Sequence, residues 1–500
     1  MSSTESRGTT DSSIPAAPAE EWIFSERPEH PEEACGVFAV YAPGQDVARL
    51  TYFGLHALQH RGQESAGIAV GDRETVTVTK NLGLVSKVFK ESDLDSLTGD
   101  VAIGHTRYST TGASTSWENA QPHLSAIGTQ MIALAHNGNL VNTTELRDSL
   151  KDRGVRFRST TDSEVIATLV GHFTQAHAHI REGIRETMKL IRGAYAVVIS
   201  TEEAVYAFRD PYGIRPLVLG KLADDAGWVV SSETCGLDIV GAEFVRDVAP
   251  GEMLKISALG LEVEQAVPAE KPSLCIFEFV YFARPDSLMY DCTLYEARRQ
   301  MGAFLAKEAP VEADMVMGVP DSGVPAAVGF AQASGIPFGE GLVKNRYVGR
   351  TFISPSQYLR QQGIRLKLNP LKHAIAGKRL VVVDDSIVRG NTSRKLVQLL
   401  RDAGAAEVHM RITSPPVVWP CFYGIDTDTQ EQLIGSSHSV EEVRDYIGAD
   451  SLAYLSLDAL VASTGTEKSE FCCACFDGEY PVAIPESVRH GKLALEPGCG

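Results

Sequence analysis

The spacing of apolar positions along this chain changes twice. Residues 1–34 are rich in Ser, Thr, Pro, Ala and Glu, with large apolar side chains together only at Trp22-Ile23-Phe24. Such a segment cannot bury a core and reads as disordered or removed. From Cys35 onward, short β-branched and aromatic runs recur at residues 37–41, 67–70, 75–78, 101–103, 131–134 and 195–199, which read as strands. Helical spacing falls near residues 48–59, 162–173 and 182–191. Strands that come in groups favour a layered α+β domain. The pattern lapses over Gln265–Pro272, where Pro268 and Pro272 break it, so the first domain is assigned to residues 35–265. Strands and helices then alternate: helix 296–307, strand 314–318, helix 325–333, strand 379–383, helix 392–402, strand 407–413. That order predicts an α/β domain with a parallel sheet over residues 266–470, followed by a cysteine-containing tail at 471–500.

Leu380-Val381-Val382-Val383 suits a parallel strand covered on both faces. Asp384-Asp385 follows it, then the small-residue loop Ser386–Gly390, and Asn391-Thr392-Ser393 offers a helix N-cap. A loop closed by a helix N-terminus presents backbone N–H groups and a positive dipole end to a phosphate. Two carboxylates just before it can accept from a ribose diol or hold Mg²⁺ through oxygen. Between strands, Lys344–Leu368 is a polar stretch with six Arg or Lys side chains and little periodicity, which reads as an active-site lid.

Composition narrows the classes. With 500 residues, 44% hydrophobic and 22% charged, the chain is ordinary globular material of two or more domains. A net charge of −18 argues against nucleic-acid binding. No apolar run is long enough for a membrane span, and no secretory signal is present, so the expected location is cytoplasmic. Nine cysteines in this length do not make a disulfide scaffold, but Cys472, Cys473 and Cys475 cluster, which suggests metal.

In the first domain, Cys35 opens a buried strand, and polar clusters stand at strand ends or helix starts: His105-Thr106-Arg107-Tyr108, His136-Asn137-Gly138-Asn139 and Thr160-Thr161-Asp162-Ser163. Together they resemble the glutamine amidotransferase domain of the N-terminal nucleophile (Ntn) class, a four-layer fold. The resemblance implies that Cys35 is the nucleophile and that its own α-amine is the base. An α-amine titrates near ~7.7–8.0, so it can accept the thiol proton near neutrality. It also implies that Arg107 binds the glutamine α-carboxylate, Asp162 the α-ammonium, and that Asn137 with the Gly138 N–H forms the oxyanion hole. Because Cys35 is not at the chain start, residues 1–34 become a propeptide whose removal activity requires.

The Asp384-Asp385 segment resembles the phosphoribosyl pyrophosphate (PRPP) signature of type I phosphoribosyltransferases. This implies that Arg389, Gly390, Asn391 and Thr392 hold the 5′-phosphate. It also places Ser322, Asp384 and Asp385 around Mg²⁺, and the lid cations Lys344, Arg346 and Arg350 over pyrophosphate. The C-x₂-C of Cys472 and Cys475, with Cys275 and Cys421, allows Zn²⁺ or an iron–sulfur cluster by spacing alone. Phe471–Pro481 resembles the tail of the cluster-bearing subgroup of glutamine PRPP amidotransferases, which implies a [4Fe–4S] cluster on Cys275, Cys421, Cys472 and Cys475. Cys473 could replace a neighbour, and Cys235, Cys292 and Cys499 stay unassigned.

The order of the two domains resembles the glutamine PRPP amidotransferase family over residues 35–481. Further matches are Ile276–Ser287, Val319–Gly323 and Lys344–Ile353. What the resemblance implies is glutamine hydrolysis at Cys35, internal passage of ammonia to PRPP, formation of 5-phosphoribosylamine, a homotetramer, and feedback by purine nucleotides. The alternatives are another Ntn amidotransferase, such as a glucosamine-phosphate or asparagine synthase, and a PRPP-sensing regulator. The first pair lacks a PRPP loop, and intact Cys35, Arg107 and Asp162 oppose the second.

Overall fold

A computed structural model describes residues 35–108, 112–128, 130–345, 368–425, 429–486 and 488. Residues 1–34, Arg346, Arg350 and Cys499 lie outside the described residues. Among the described residues, the amino-terminal half contains thirteen strands in two antiparallel sheets. They are β1 (Gly36–Tyr41), β2 (Ser65–Gly71), β3 (Val76–Leu82), β4 (Val101–Arg107), β5 (His123–Ile127), β6 (Gln130–Leu140) and β7 (Gly193–Ser200). Then follow β8 (Val205–Arg209), β9 (Val218–Leu222), β10 (Trp228–Ser231), β11 (Ala242–Asp247), β12 (Glu252–Ser257) and β13 (Gly260–Gln265). One sheet runs β11-β9-β10-β1-β4-β2-β3 and the other β13-β12-β8-β7-β6-β5.

Alternation along β1 explains the layering, because successive side chains leave a strand on opposite faces. Phe38 and Val40 face outward against the helix Val47–Ala57, while Val37 and Ala39 face Ala133, Ala135, Ala196 and Val198 of the second sheet. The far face of the second sheet carries the helices Asp162–His177 and Ile180–Leu190. The result is helix, sheet, sheet, helix. The apolar runs of the sequence mark β1–β4, β6 and β7 but not β5 or β8–β13. Several of those alternate with polar residues, as in Gly260-Leu261-Glu262-Val263-Glu264-Gln265, and offer no continuous apolar run.

Among the described residues, the carboxy-terminal half holds a sheet of four parallel strands, Met315–Gly318, Arg379–Asp384, Glu407–Ile412 and Ser451–Tyr454, in that spatial order. Leu380 and Val382 pack with Leu396 and Leu400 of the helix Asn391–Asp402; Val381 and Val383 pack with Ala326, Ala327 and Phe330 on the other face. Both-sided burial is why this strand reads as an unbroken apolar run. A continuous core joins the halves, with Val141, Ala194 and Ile214 packed among Phe277, Phe279, Phe471 and Phe476.

Candidate active sites

Cys35 directly precedes β1, and β1 pairs with β4, which ends in Arg107. The pairing brings the two residues to one end of the first sheet. The Cys35 thiol is buried and donates to the Tyr108 carbonyl at 3.2 Å. Burial pushes it up to about 12, against the pull of the Arg107 guanidinium. Arg107 is buried too and donates to the Gly112 carbonyl at 3.0 Å, with the Glu64 carboxylate 3.9 Å away. Asp162 is the first residue of its helix, and Thr161 serves as N-cap by accepting from the Glu164 N–H. The Asp162 carboxylate is therefore not used as a cap. It accepts from the Leu140 N–H at 3.0 Å and stands 3.7 Å from His136 Nδ1. Burial raises this carboxyl, but His136 and the N–H groups of Leu140 and Ser163 bring it net below the ordinary aspartate value. Asn137 is fully buried, and neither polar atom of its side chain has a partner among the described residues. Gly138 has φ +138°, and a Cβ there would stand 2.0 Å from the Ala194 carbonyl oxygen, so only glycine fits.

In the second half, Asp384 closes the strand Arg379–Asp384. The Asp385 carboxylate accepts from Ser322 Oγ at 2.5 Å and Ser386 Oγ at 2.6 Å, which draws the Val319–Gly323 motif onto the acidic pair. Asp384 accepts from the Asp385 N–H through one oxygen, while its Oδ2 is buried with no partner among the described residues. Burial and the neighbouring Asp385 hold the Asp384 carboxyl well above its ordinary value. The N-cap differs from the sequence expectation: it is Gly390, at φ +84°, and Asn391 already begins the helix. The chain must enter the helix through a left-handed residue, which glycine adopts without cost. Gly390 has no side chain to cap this helix, and a helix N-terminus left so offers its first N–H groups to an anion. Arg389 is buried, Thr392 is half-buried on the first turn, and Asn391 Oδ1 accepts from Tyr446 Oη at 2.6 Å. Lys344 pairs with Asp321 at the foot of a two-strand ladder, Leu342–Lys344 with Leu368–Pro370.

Four cysteines from three segments line one small cavity: Cys275, Cys421, Cys472 and Cys475, with Ile214, Arg215 and Tyr423. Cys473 is buried but does not line it. Among the described residues, no three His, Cys, Asp or Glu side chains converge on a single-ion site.

A family profile described as glutamine amidotransferase domain matches residues 105–238, and one described as phosphoribosyl transferase domain matches residues 294–413. The amidophosphoribosyltransferase of Synechococcus elongatus is 58% identical over 94% of this chain and 96% of its own. Its Bacillus subtilis counterpart is 48% identical over 93% of this chain and 98% of its own. The chain belongs to the amidophosphoribosyltransferase family. It is thus a glutamine-dependent pentosyltransferase that aminates PRPP in purine biosynthesis. A solved structure described as the allosteric regulatory enzyme of purine biosynthesis superposes with TM-score 0.86 at 47% identity, covering 92% of this chain and 99% of that one. The B. subtilis glutamine PRPP amidotransferase complexed with ADP and GMP superposes with TM-score 0.85 at 48% identity, covering 90% and 98%.

A buried ionic network that no sequence motif announces joins the two halves. Arg61 donates through Nε to the Cys35 carbonyl at 3.2 Å and pairs with Glu233 and, at 2.6 Å, with Glu278. Arg215 reaches Glu278 at 3.2 Å and donates through Nε to the Tyr423 carbonyl at 3.1 Å. All four charged side chains are fully buried. Glu278 lies in the Ile276–Ser287 motif, but its partners are distant in sequence, so no local pattern marks them. Among the described residues, no helix is long and apolar enough to cross a membrane.

Proposed function

We propose that the two chemistries of this family are divided between Cys35 and the Asp384-Asp385 loop. In this reading the chain divides into a propeptide at 1–34, a glutaminase at 35–265, a phosphoribosyltransferase at 266–470 and a cysteine tail at 471–500. The end of the last strand of the second sheet at Gln265 supports the central boundary. Removal of residues 1–34 gives Cys35 a free α-amine, which takes the thiol proton as sulfur attacks the glutamine amide. Arg107 holds the α-carboxylate and Asp162 the α-ammonium. Asn137 Nδ2 and the Gly138 N–H receive the oxyanion. The buried, unpartnered Asn137 amide is the observation that carries this assignment, because a buried polar group without a partner is costly unless a ligand satisfies it. Collapse of the tetrahedral intermediate, with the Cys35 α-ammonium passing its proton to the departing nitrogen, expels ammonia and leaves a thioester that water hydrolyses to glutamate.

Ammonia then attacks C1 of PRPP. The C–N bond forms as the C–O bond breaks, pyrophosphate leaves with the electron pair, and the nitrogen loses a proton. The first turn of the helix Asn391–Asp402, with Arg389, Gly390, Asn391 and Thr392, holds the 5′-phosphate. Lys344 meets the pyrophosphate. Ser322, Asp384 and Asp385 fit Mg²⁺, which keeps waters and substrate oxygens beside one or two carboxylates and, when bound, neutralises the leaving group. The unpartnered Asp384 Oδ2 supports this donor set.

Cys275, Cys421, Cys472 and Cys475 fit a [4Fe–4S] cluster better than zinc. The four residues line one cavity, and among the described residues no three of their side chains converge as a tetrahedral Zn²⁺ at ~2.3 Å from each sulfur would require. Cys275, Cys421, Cys472 and Cys475 would hold such a cluster, which would cross-link the tail to the chain between the halves. Purine nucleotides as inhibitors, a homotetramer and a cytoplasmic location complete the reading, the first supported by the ADP and GMP in the B. subtilis complex. The test is Cys35→Ala in the processed chain. It should lose glutamine use and keep synthesis from added ammonia; loss of both in folded protein would reject the division.

A further inference from the structure

Among the described residues, the last residues of β6, beyond the end of β5, have a strand neighbour on one side only, β7. A segment of the phosphoribosyltransferase half meets them there. Asn139 Nδ2 donates to the Phe422 carbonyl at 3.0 Å. Gly424 lies against Gly138: a Cβ on Gly424 would stand 3.0 Å from the Gly138 carbonyl carbon and 3.1 Å from its Cα. Gly424 itself has φ +108°. Between these contacts, the fully buried Arg215 holds the Tyr423 carbonyl and is anchored in turn by Glu278.

We propose that Phe422-Tyr423-Gly424 is a positioning element of the glutaminase, which fixes the Gly138 peptide for the oxyanion from across the domain boundary. The inference rests on the reading of Asn137 and Gly138 as the oxyanion hole. An oxyanion donor helps only if it is already aimed where negative charge will develop, because reorienting it during reaction consumes the gain. Glycine is the residue least able to hold its own peptide plane, since it populates both signs of φ. Gly138 cannot be exchanged for a stiffer residue because Ala194 occupies the Cβ position. Its orientation must therefore come from neighbours, and two of them are the Phe422 carbonyl, through Asn139, and Gly424. Cys421 opens the same segment and lines the cysteine cavity, so cavity and oxyanion hole share a stretch of backbone.

Gly424→Ala and Asn139→Ser test this in processed, full-length enzyme. Each should lower kcat for glutamine hydrolysis about 10-fold or more, since loss of a whole donor costs about 10²–10³. KM for glutamine should stay within about twofold, because Arg107 and Asp162 are untouched. Affinity for the aldehyde analogue of glutamate, which closes on Cys35 as a tetrahedral adduct, should fall by the same factor as kcat. Ammonia-dependent synthesis should persist, which a general folding defect would not allow. Unchanged kcat in a soluble variant, or a rise in KM alone, overturns the proposal. If Gly424→Ala does not fold, Asn139→Ser decides it alone. Asn137→Ala separates the levels: full kcat there overturns the oxyanion reading beneath the inference, whereas a loss there with both positioning variants intact overturns the inference only.

Discussion

Cys275 and Cys472 are register partners in a two-residue parallel ladder, Leu274-Cys275 against Phe471-Cys472. Hydrogen bonds from the Val418 and Trp419 N–H groups to the Cys475 carbonyl, at 3.0 and 3.1 Å, bring the segment of Cys421 to the same place. The backbone therefore delivers these cysteines to one cavity and leaves Cys473 pointing elsewhere. Cys472→Ser should abolish iron binding in anaerobically isolated protein, while Cys473→Ser should keep about four irons per chain. Iron and zinc analysis beside the visible spectrum checks both. Stoichiometric zinc without iron in active enzyme would overturn the cluster assignment.

The pair Arg61 and Glu278 ties the Cys35 carbonyl to the interdomain chain. Breaking a buried ion pair leaves one charge uncompensated, at a cost of about 3–5 kcal/mol. Glu278→Ala should thus lower the denaturant midpoint clearly and reduce glutamine-dependent activity. Arg299→Ala, which removes the exposed pair with Glu296, should cost under about 1 kcal/mol. Equal effects in the two variants would show that the buried network is not what stabilises this junction.

Asp384 predicts a trade of stability against function. Its folded-state carboxyl titrates above the ordinary aspartate value, so the folded state binds this proton more tightly than the unfolded chain does. The stability it contributes is present at low pH and is lost as pH rises above about 4 toward the raised folded value. Asp384→Asn should therefore make the ligand-free protein more stable at neutral pH and flatten that dependence. It should also remove most PRPP-dependent activity. A neutral-pH loss of stability in Asp384→Asn would contradict this account of the carboxyl.

A Cys35 thiol held at about 12 is almost wholly protonated at pH 8, and thiolate is the reactive form. Freed from residues 1–34, its α-amine can accept the proton. Alkylation of Cys35 at pH 8 should be at least about 100-fold slower before processing than after it. Mass spectrometry of the labelled peptide measures this, and equal rates would mean that processing does not activate the thiol.

Much of the phosphoribosyltransferase half was legible because its central strand is buried on both faces and its acids and glycine follow without a break. The residues proposed as glutaminase nucleophile and substrate grips stand out in the sequence as polar clusters at strand ends. The unread parts depend on contacts between distant residues. Gly390 replaced Asn391 as the helix cap because backbone conformation, not side-chain chemistry, governs that entry. Glu278 and Arg215 look like ordinary charges until folding buries them together. Phe422 and Gly424 carry no chemical signal at all; their effect comes through backbone atoms.

The central claim is that one chain makes ammonia at Cys35 and consumes it at the Asp384-Asp385 loop without releasing it. A continuous core joins the two halves that carry these sites. The direct measurement gives processed enzyme glutamine labelled with ¹⁵N at the amide, PRPP and Mg²⁺, in the presence of unlabelled ammonium at a concentration that contributes little synthesis on its own. The phosphoribosylamine should carry ¹⁵N almost undiluted. Product nitrogen matching the isotopic composition of the bulk ammonium would contradict internal transfer.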